Sequence, residues 1–275
     1  MSRIDNANFG IQRLGGEGGQ GIYEESSTPK HAIGEKLELI DGRVFRYAYF
    51  STATSQGLLA SQDLSASAIV ESDGKCTAAS AGATEVTYTD SGTVGAATLN
   101  QYAGGYLHIT DDAGEGYQYR IKSNTAASSN AITLTLYDGL QVAVTTDTDV
   151  AVTGGLWNNL IGATAGTDYV VAGVTPIAFT VNYYGWVQTR GVATILADGT
   201  IAAGQNVTLS DGVTGAVHTK DAETEPLIGY AAFAPDNTGY CGVVLQNLPE
   251  AVHFRAAVGV SVCGYLLVPT VARIN

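Results

Sequence analysis

Apolar and polar residues alternate through much of the second half of the chain, in short runs separated by turn residues. The longest run extends from Tyr183 to Thr194, and shorter runs follow as far as Leu245. Neighbouring side chains on a strand face opposite sides, so this alternation predicts half-buried strands. Breaks typical of tight turns occur at 197–199, 203–204, 210–212 and 236–239. We therefore predict a small, closed or nearly closed β-barrel with a tail at residues 156–275.

A second β unit is predicted at residues 72–155. Alternating apolar residues mark candidate strands at 84–89, 106–110, 116–122, 132–137 and 141–144. Glycine and aspartate at 111–116 and 138–139 predict turns. This spacing suits a small sandwich or barrel. The predicted class is all-β, with two small β-barrel or sandwich units and an extended N-terminal arm.

Residues 35–71 are predicted to form a β-hairpin and a connector. Asp41-Gly42 separates two apolar-polar runs, and we expect this pair at the centre of a type I′ turn with positive φ at both residues. Apolar residues occur on both faces of the returning strand, as they do in a sheet or at a subunit contact. The stretch from Gly57 to Leu64 is expected to be a short helix or a loop.

Residues 1–34 differ from the rest of the chain, because the glycine-rich stretch 15–21 cannot sustain a regular element. One interpretation is a disordered terminus. The other is an extended arm that becomes ordered on a partner. Apolar anchors that a simple linker would lack favour the arm, and they are Ile4, Phe9, Ile11, Leu14 and Ile22.

The chain is acidic and sparsely charged. Its 275 residues include 13 basic and 26 acidic residues, for a net charge of −13. Only 14% of residues are charged, against about 25% in ordinary domains. Such a surface repels nucleic acid and anionic membranes, so we expect neither as a direct partner. The charge is equally explained by solubility alone.

Neither a targeting signal nor a metal-binding cysteine pattern is recognised in the sequence. The first residues lack an apolar signal core, and the apolar stretch 256–268 is too short to cross a bilayer. The three cysteines fit no zinc pattern, and Cys241 and Cys263 are expected to be buried thiols. Folding in a reducing cytoplasm is the simplest account.

Catalytic motifs are weak throughout. The glycines at 16, 18 and 21 match a dinucleotide fingerprint formally, but neither the preceding strand nor the following helix is predicted. The four histidines are scattered along the chain. Asp111, Asp112 and Glu115, like Asp147 and Asp149, suit plain turns better than a weak Ca²⁺ site. We expect no enzymatic activity, no cofactor and no metal, with a hydrolase carrying an unrecognised site as the minor alternative.

Aromatic residues could form a sugar-binding or protein-binding patch, although cross-strand packing is the simpler interpretation for most of them. For the neighbours Tyr183 and Tyr184 the binding and packing interpretations are evenly balanced, because adjacent residues face opposite sides of a strand. The full set is Tyr102, Tyr106, Tyr117, Tyr119, Tyr183, Tyr184 and Trp186.

Three segments carry a resemblance to a known family. They are Ala103–Ile121, Tyr184–Gly191 and Pro226–Ala231, and the hairpin around Asp41-Gly42-Arg43 is also similar. They resemble head proteins of tailed bacteriophages, of the capsid decoration (cement) kind. The resemblance implies a β-rich, often trimeric protein that is made in the host bacterial cytoplasm and added to the outer capsid surface of the virion.

The partners implied are the major capsid protein and further copies of this chain, as a homotrimer. The middle unit would be an insertion that shorter members lack. The alternative is a head- or tail-fibre module that binds host-surface glycans. A major capsid protein is disfavoured, because no sustained 3.6-residue apolar period predicts its long spine helix.

The arm, the first hairpin and the start of the late strand are the candidates for contact with the capsid or with other subunits. The residues predicted for this contact are Ile4, Phe9, Ile11, Leu14, Ile22, Arg43, Phe45, Tyr47, Tyr184 and Trp186.

Overall fold

The computed structural model describes residues 19–62, 70–90, 94, 97–164, 170–223, 225–233, 239–246 and 248, with only the backbone of 70–73. All sixteen elements of these residues are β-strands. Their bounds are β1 Lys36–Glu38, β2 Val44–Phe50, β3 Leu59–Gln62, β4 Val70–Cys76, β5 Glu85–Thr89, β6 Tyr106–Asp111, β7 Gln118–Asn124, β8 Ala131–Leu136, β9 Asp149–Thr153, β10 Leu160–Gly162, β11 Val171–Val174, β12 Tyr183–Leu196, β13 Asn206–Leu209, β14 Val217–Thr219, β15 Gly229–Ala231 and β16 Tyr240–Leu245.

The predicted all-β class with two barrel units is confirmed. One closed barrel has the strand order β4-β5-β8-β7-β6-β9, and we call it the middle barrel. The other ten strands form one sheet, the composite sheet. Within the described parts of the chain, no helix has the length and apolar character that crossing a bilayer requires.

The middle barrel follows the predicted alternation closely. In β8, Ile132, Leu134 and Leu136 point inward and are buried, while the residues between them are half-buried. Four of the five candidate strands overlap observed strands to within two residues at each end, namely β5, β6, β7 and β8.

The fifth candidate strand, 141–144, is wrong. Val144 makes only an isolated bridge with Ala79, and the surrounding residues form a loop. The strand that follows, β9, was missed because Asp149 was assigned to a turn. Its alternating Val150 and Val152 are buried in the barrel and were the available signal.

The composite sheet contains the second closed barrel. Strands β2, β10, β3, β11 and β12 form a ring, because β12 pairs back onto β2. Phe50 and Phe179 stack at the ring core, with ring centroids 3.9 Å apart. Strands β2 and β3 lie within residues 35–71, so the described part of that region supplies two strands of this barrel's wall.

The second half of β12 leaves the ring and begins another layer, the C-terminal sheet. Residues Gly191–Leu196 pair with β16, and β15, β13 and β14 follow in that order. A parallel bridge between Ala197 and Val217 connects the start of β14 to the residue that directly follows β12. Cys241 is buried in the core of this sheet, as predicted for a thiol, whereas Cys263 lies outside the described residues.

Two predictions within residues 35–71 are wrong in detail. Strands β1 and β2 form the hairpin, but of the pair Asp41-Gly42 only the glycine has positive φ, at 82°. Gly42 N–H donates to Leu39 O and Leu39 N–H donates to Arg43 O, both at 2.9 Å. The turn is therefore centred one residue earlier than predicted, with glycine in the left-handed position that follows it.

The stretch predicted as a short helix or loop after Gly57 instead contains β3, in the ring wall. All four residues of β3 are buried, so it shows no alternation. Two apolar residues, Leu59 and Ala60, are followed by two polar ones, so the sequence of this strand lacks the period of two that would distinguish it from a helical segment.

The middle barrel is inserted between two neighbouring strands of the composite sheet. Strand β3 precedes the barrel, β10 follows it, and the two are antiparallel partners, with Gln62 opposite Leu160. Gln62 Nε2 donates to Gly155 O at 2.8 Å, and Asn158 Nδ2 donates to Gln101 O at 2.8 Å. These buried amide contacts hold the barrel base against the sheet.

Candidate interaction surfaces

Residues 19–34, the N-terminal segment, lie along this chain's own β2 and β12. Gln20 is the main contact: its Nε2 donates to Tyr184 O at 2.9 Å, and its Oε1 accepts from Tyr47 Oη at 2.6 Å. Trp186 Nε1 donates to Gln20 O at 2.9 Å. Because these groups are buried and mutually satisfied, this part of the predicted arm belongs to the fold.

Further contacts continue this attachment. Ser26 forms an antiparallel bridge with Tyr184. The Glu25 carboxylate accepts from Thr180 N–H and from Thr180 Oγ1, both at 2.7 Å. The segment therefore covers the outer face of the β2–β12 pair.

The ten predicted contact residues fall into three groups. Ile4, Phe9, Ile11 and Leu14 lie outside the described residues. Four more are buried inside this chain, between the N-terminal segment and the β2–β12 pair, and they are Ile22, Phe45, Tyr47 and Trp186.

Burial of these four side chains has a simple cause. The ring core covers one face of β2 and the N-terminal segment covers the other, so residues on both faces lose their exposure. A partner cannot reach them in the folded chain.

The third group consists of Arg43 and Tyr184, which are half-buried and accessible. Arg43 Nε donates to Asp41 Oδ2 at 2.6 Å, which holds the guanidinium at the hairpin turn.

Tyr184 and Tyr49 form the first candidate surface, the tyrosine surface. Their ring centroids are 4.9 Å apart, and Tyr49 Oη donates to Asn182 Oδ1 at 2.7 Å. Burial raises the pKa of both phenols. Both phenols remain protonated near pH 7. Tyr184 Oη can therefore donate a hydrogen bond to a partner, whereas Tyr49 Oη, whose proton goes to Asn182, can accept one.

A second candidate surface lies on the outer wall of the middle barrel, and we call it the wall patch. Tyr106 in β6 is the register partner of Arg120 in β7. The Arg120 guanidinium lies 4.9 Å from the ring centroid of Tyr137. Tyr106 and Tyr137 are 38% and 48% exposed. Two exposed aromatic rings beside an arginine provide stacking surfaces and hydrogen-bond donors.

Sequence reasoning predicted only Tyr106 of this patch. Tyr102 and Tyr119 were candidates, but both are buried in the barrel core, and Tyr119 Oη accepts from Gln141 N–H at 2.9 Å. Arg120 and Tyr137 were missed. Arg120 alternates with buried Tyr119 and Ile121, which already indicated an outward position.

The third candidate surface, the apolar row, crosses the C-terminal sheet. Val192 in β12 pairs with Val244 in β16, and Val244 pairs with Tyr230 in β15. Their exposed fractions are 56%, 39% and 40%. Contiguous exposed apolar side chains mark interaction surfaces more often than isolated ones do. Sequence reasoning missed the row, because it depends on the register of three strands.

Fold and surfaces together define an all-β protein with two closed barrels and three outward-facing candidate surfaces. No family model matches the chain, and neither a curated protein nor a solved structure matches it.

Proposed function

We propose that this chain is a virion structural protein that binds the outer surface of an icosahedral phage head and stabilises it. Its partners would be the major capsid protein and further copies of itself, as a homotrimer. The chain acts by occupying area on the shell, and it transforms no substrate.

The observation that carries this proposal is the position of the apolar row. Two segments that resemble head proteins, Tyr184–Gly191 and Pro226–Ala231, lie on β12 and β15 or just before β15. The row begins at Val192, directly after the first segment, and includes Tyr230 from the second. The resembling segments therefore lead to an exposed apolar face, as expected where copies of a decoration protein meet.

Binding of this kind stabilises a shell by mass action. A ligand that binds only the assembled lattice contributes about 2.7 kcal/mol at a hundredfold excess over its dissociation constant. A trimer that contacts several capsid subunits at once gains further through effective concentration. Weak individual contacts are therefore sufficient, and the acidic body can face solvent.

Self-association is tested by light scattering on the purified full chain. We expect three times the mass of one chain, and Val244→Lys should reduce it to that of one chain by placing charges in the row. The matched control is Val142→Lys, which changes an exposed valine of the middle barrel. A monomeric wild-type protein, or a trimer that tolerates Val244→Lys, would reject the row as the self-contact.

Head binding is tested by adding the chain to expanded heads that lack it and measuring occupancy after sedimentation. Deleting residues 1–18 removes Ile4, Phe9, Ile11 and Leu14 but keeps Gln20 and its buried contacts. We expect occupancy to fall while the melting temperature is retained. Full occupancy by the deletion variant would exclude the arm, and failure of the wild-type chain to bind heads would exclude the proposed function.

The wall patch favours a second candidate function, glycan binding at a host surface. Tyr106, Arg120 and Tyr137 lie side by side on the barrel exterior. Binding to a glycan array that is lost in Tyr137→Ala would support it, with exposed Tyr117→Ala as the control. An array without any hit, together with full head occupancy, would contradict it.

A further inference from the structure

Three side chains of the C-terminal sheet bring metal-ligating atoms together. Asp211 follows β13, His218 lies in β14, and Glu225 lies in the connection between β14 and β15. One ligand atom from each lies within 4.8 Å of the other two. His218 Nε2 and Glu225 Oε1 are 3.9 Å apart, which is too long for a hydrogen bond.

The His218 ring nitrogen in this cluster is buried without a partner. Nε2 has no hydrogen bond among the described residues, although it is inaccessible to solvent. Thr208, the register partner of His218 in β13, also has a buried hydroxyl without a partner there. Paired residues share a face of the sheet. Two unpartnered polar atoms therefore lie on the face that carries the cluster, and buried polar atoms normally have partners.

The two carboxylates are held by their own loops. Glu225 Oε2 accepts from Asp221 N–H at 3.1 Å and Ala222 N–H at 3.3 Å, which leaves Oε1 toward His218. Ser210 Oγ accepts from Gly212 N–H and Val213 N–H, at 3.0 and 2.9 Å, which fixes the turn that presents Asp211. The Asp211 carboxylate is exposed and therefore open to the incoming ion.

We propose that Asp211, His218 and Glu225 bind a divalent transition-metal ion of the Zn²⁺ type. One imidazole nitrogen with two carboxylate oxygens is a donor set that Zn²⁺ accepts. Ligand atoms about 2.1 Å from a tetrahedral Zn²⁺ are about 3.4 Å apart. The ligand atoms now lie within 4.8 Å of one another, so each separation has to close by no more than about 1.4 Å on binding. Three protein ligands leave the fourth position for water.

The bound ion would fasten the connection 220–228 to the outermost strand of the C-terminal sheet. It ties together the β13–β14 turn, β14 and the segment leading into β15. Because β15 carries Tyr230 of the apolar row, the ion would also fix that part of the row. The site does not depend on the proposed function, since an isolated chain in solution would bind the metal equally well.

The test uses the full chain, stripped of metal with a chelator and titrated with ZnCl₂ in a calorimeter. We expect saturable binding of one ion per chain and a rise in melting temperature with Zn²⁺. His218→Gln and Glu225→Gln should each bind more than about 100-fold more weakly, since even partners that only orient a ligand account for about 10–100-fold. Mg²⁺ should not compete, because it prefers oxygen ligands and retains its waters.

Asp211→Asn and Glu223→Gln complete the design. Asp211 is exposed, so its variant keeps the fold and should still bind more weakly. Glu223 is exposed in the same connection as Glu225 but lies outside the cluster, so Glu223→Gln should bind like the wild type. Co²⁺ added in place of Zn²⁺ should give visible absorption that Zn²⁺ abolishes. Absence of saturable binding, or equal weakening by Glu223→Gln and Glu225→Gln, would overturn the proposal.

Discussion

The middle barrel and the composite sheet bury their strands in different ways. In the barrel, β8 alternates regularly between buried and half-buried residues, because only its inner face meets a core. In the composite sheet, five consecutive residues of β12, from Gly185 to Thr189, are all buried. Val187 faces the ring core and Trp186 faces the N-terminal segment. A strand covered on both faces depends on a distant part of the chain.

This difference predicts where each region is vulnerable. The middle barrel is a local structure whose strands all come from one continuous stretch. The composite sheet needs residues 19–34 to complete its second core, through contacts such as Gln20 with Tyr184, which are 164 residues apart. Changes at the interface between the N-terminal segment and β12 should therefore affect the composite sheet and leave the barrel folded.

The largest effect is expected for Trp186→Ala. The side chain is 2% exposed, contacts Tyr47 and His31, and donates to Gln20 O. Its removal should cost about 3–5 kcal/mol of unfolding free energy, measured in urea, and should expose residues 19–34 to protease. Tyr117→Ala, an exposed aromatic of the barrel, should change stability by no more than about 0.5 kcal/mol. Equal costs for the two variants would remove the distinction between the regions.

A smaller loss is expected for Gly191→Ala, at the point where β12 passes from the ring to the C-terminal sheet. Gly191 has φ of 88°, and an added Cβ would lie 2.8 Å from Arg43 Cγ. We expect a cost of about 1–3 kcal/mol. Gly199→Ala separates the two causes, since φ is 81° there but nothing lies within 4 Å. If both variants lose the same stability, crowding by Arg43 contributes nothing.

Tyr47→Phe tests the same interface through pH. Burial, with smaller contributions from the charges of Tyr184 and Glu35, raises the pKa of Tyr47 from 10.0 to about 12. A raised folded-state pKa contributes stability that is complete below pH 10 and is lost as the pH rises toward 12. At pH 7 the variant should be less stable by about 1 kcal/mol, from lost hydrogen bonds.

The measurement is the unfolding free energy of both proteins from pH 7 to pH 12. Over the alkaline range the wild type should lose more stability than Tyr47→Phe, so the difference between them should narrow. Parallel pH curves would show that this phenol titrates normally in the folded chain.

The smallest effect is expected for Asp112→Asn in the middle barrel. Hydrogen bonds from Ala113 N–H first, and then from the Thr145 and Thr148 hydroxyls, lower the pKa of Asp112 from its ordinary value of 3.8. A lowered folded-state pKa contributes stability that is present above pH 3.8 and is lost as the pH falls below it. The wild type should therefore lose slightly more stability than the variant between pH 5 and pH 2, as followed by circular dichroism. Identical acid transitions would contradict this assignment.

The middle barrel and the composite sheet also differ in how far their strands could be predicted from the sequence. Strands β5 to β8 were predictable, because one buried face leaves a period of two in the sequence. Strand β3 was not, since all four of its residues are buried. The sequence predicts the N-terminal segment as part of an extended arm, because a contact between Gln20 and Tyr184 leaves no local pattern.

The candidate sites were harder to predict for the same reason. Val192, Val244 and Tyr230 become neighbours only through strand register. Asp211, His218 and Glu225 are seven residues apart in each step, a spacing that would place them on one face of a helix. In this all-β chain they are brought together by a hairpin and a turn instead, which the spacing does not indicate. Periodicity describes the face of one strand, whereas these surfaces and clusters are assembled from several.

Direct pairing of β3 with β10 determines which domains could be inserted between these two strands. Residues on adjacent antiparallel strands are about 5 Å apart, so Gln62 and Leu160 could be linked by a short loop without changing the register of either strand. The composite sheet could therefore accept a different inserted domain between β3 and β10. Replacement domains need only have their own two ends close together.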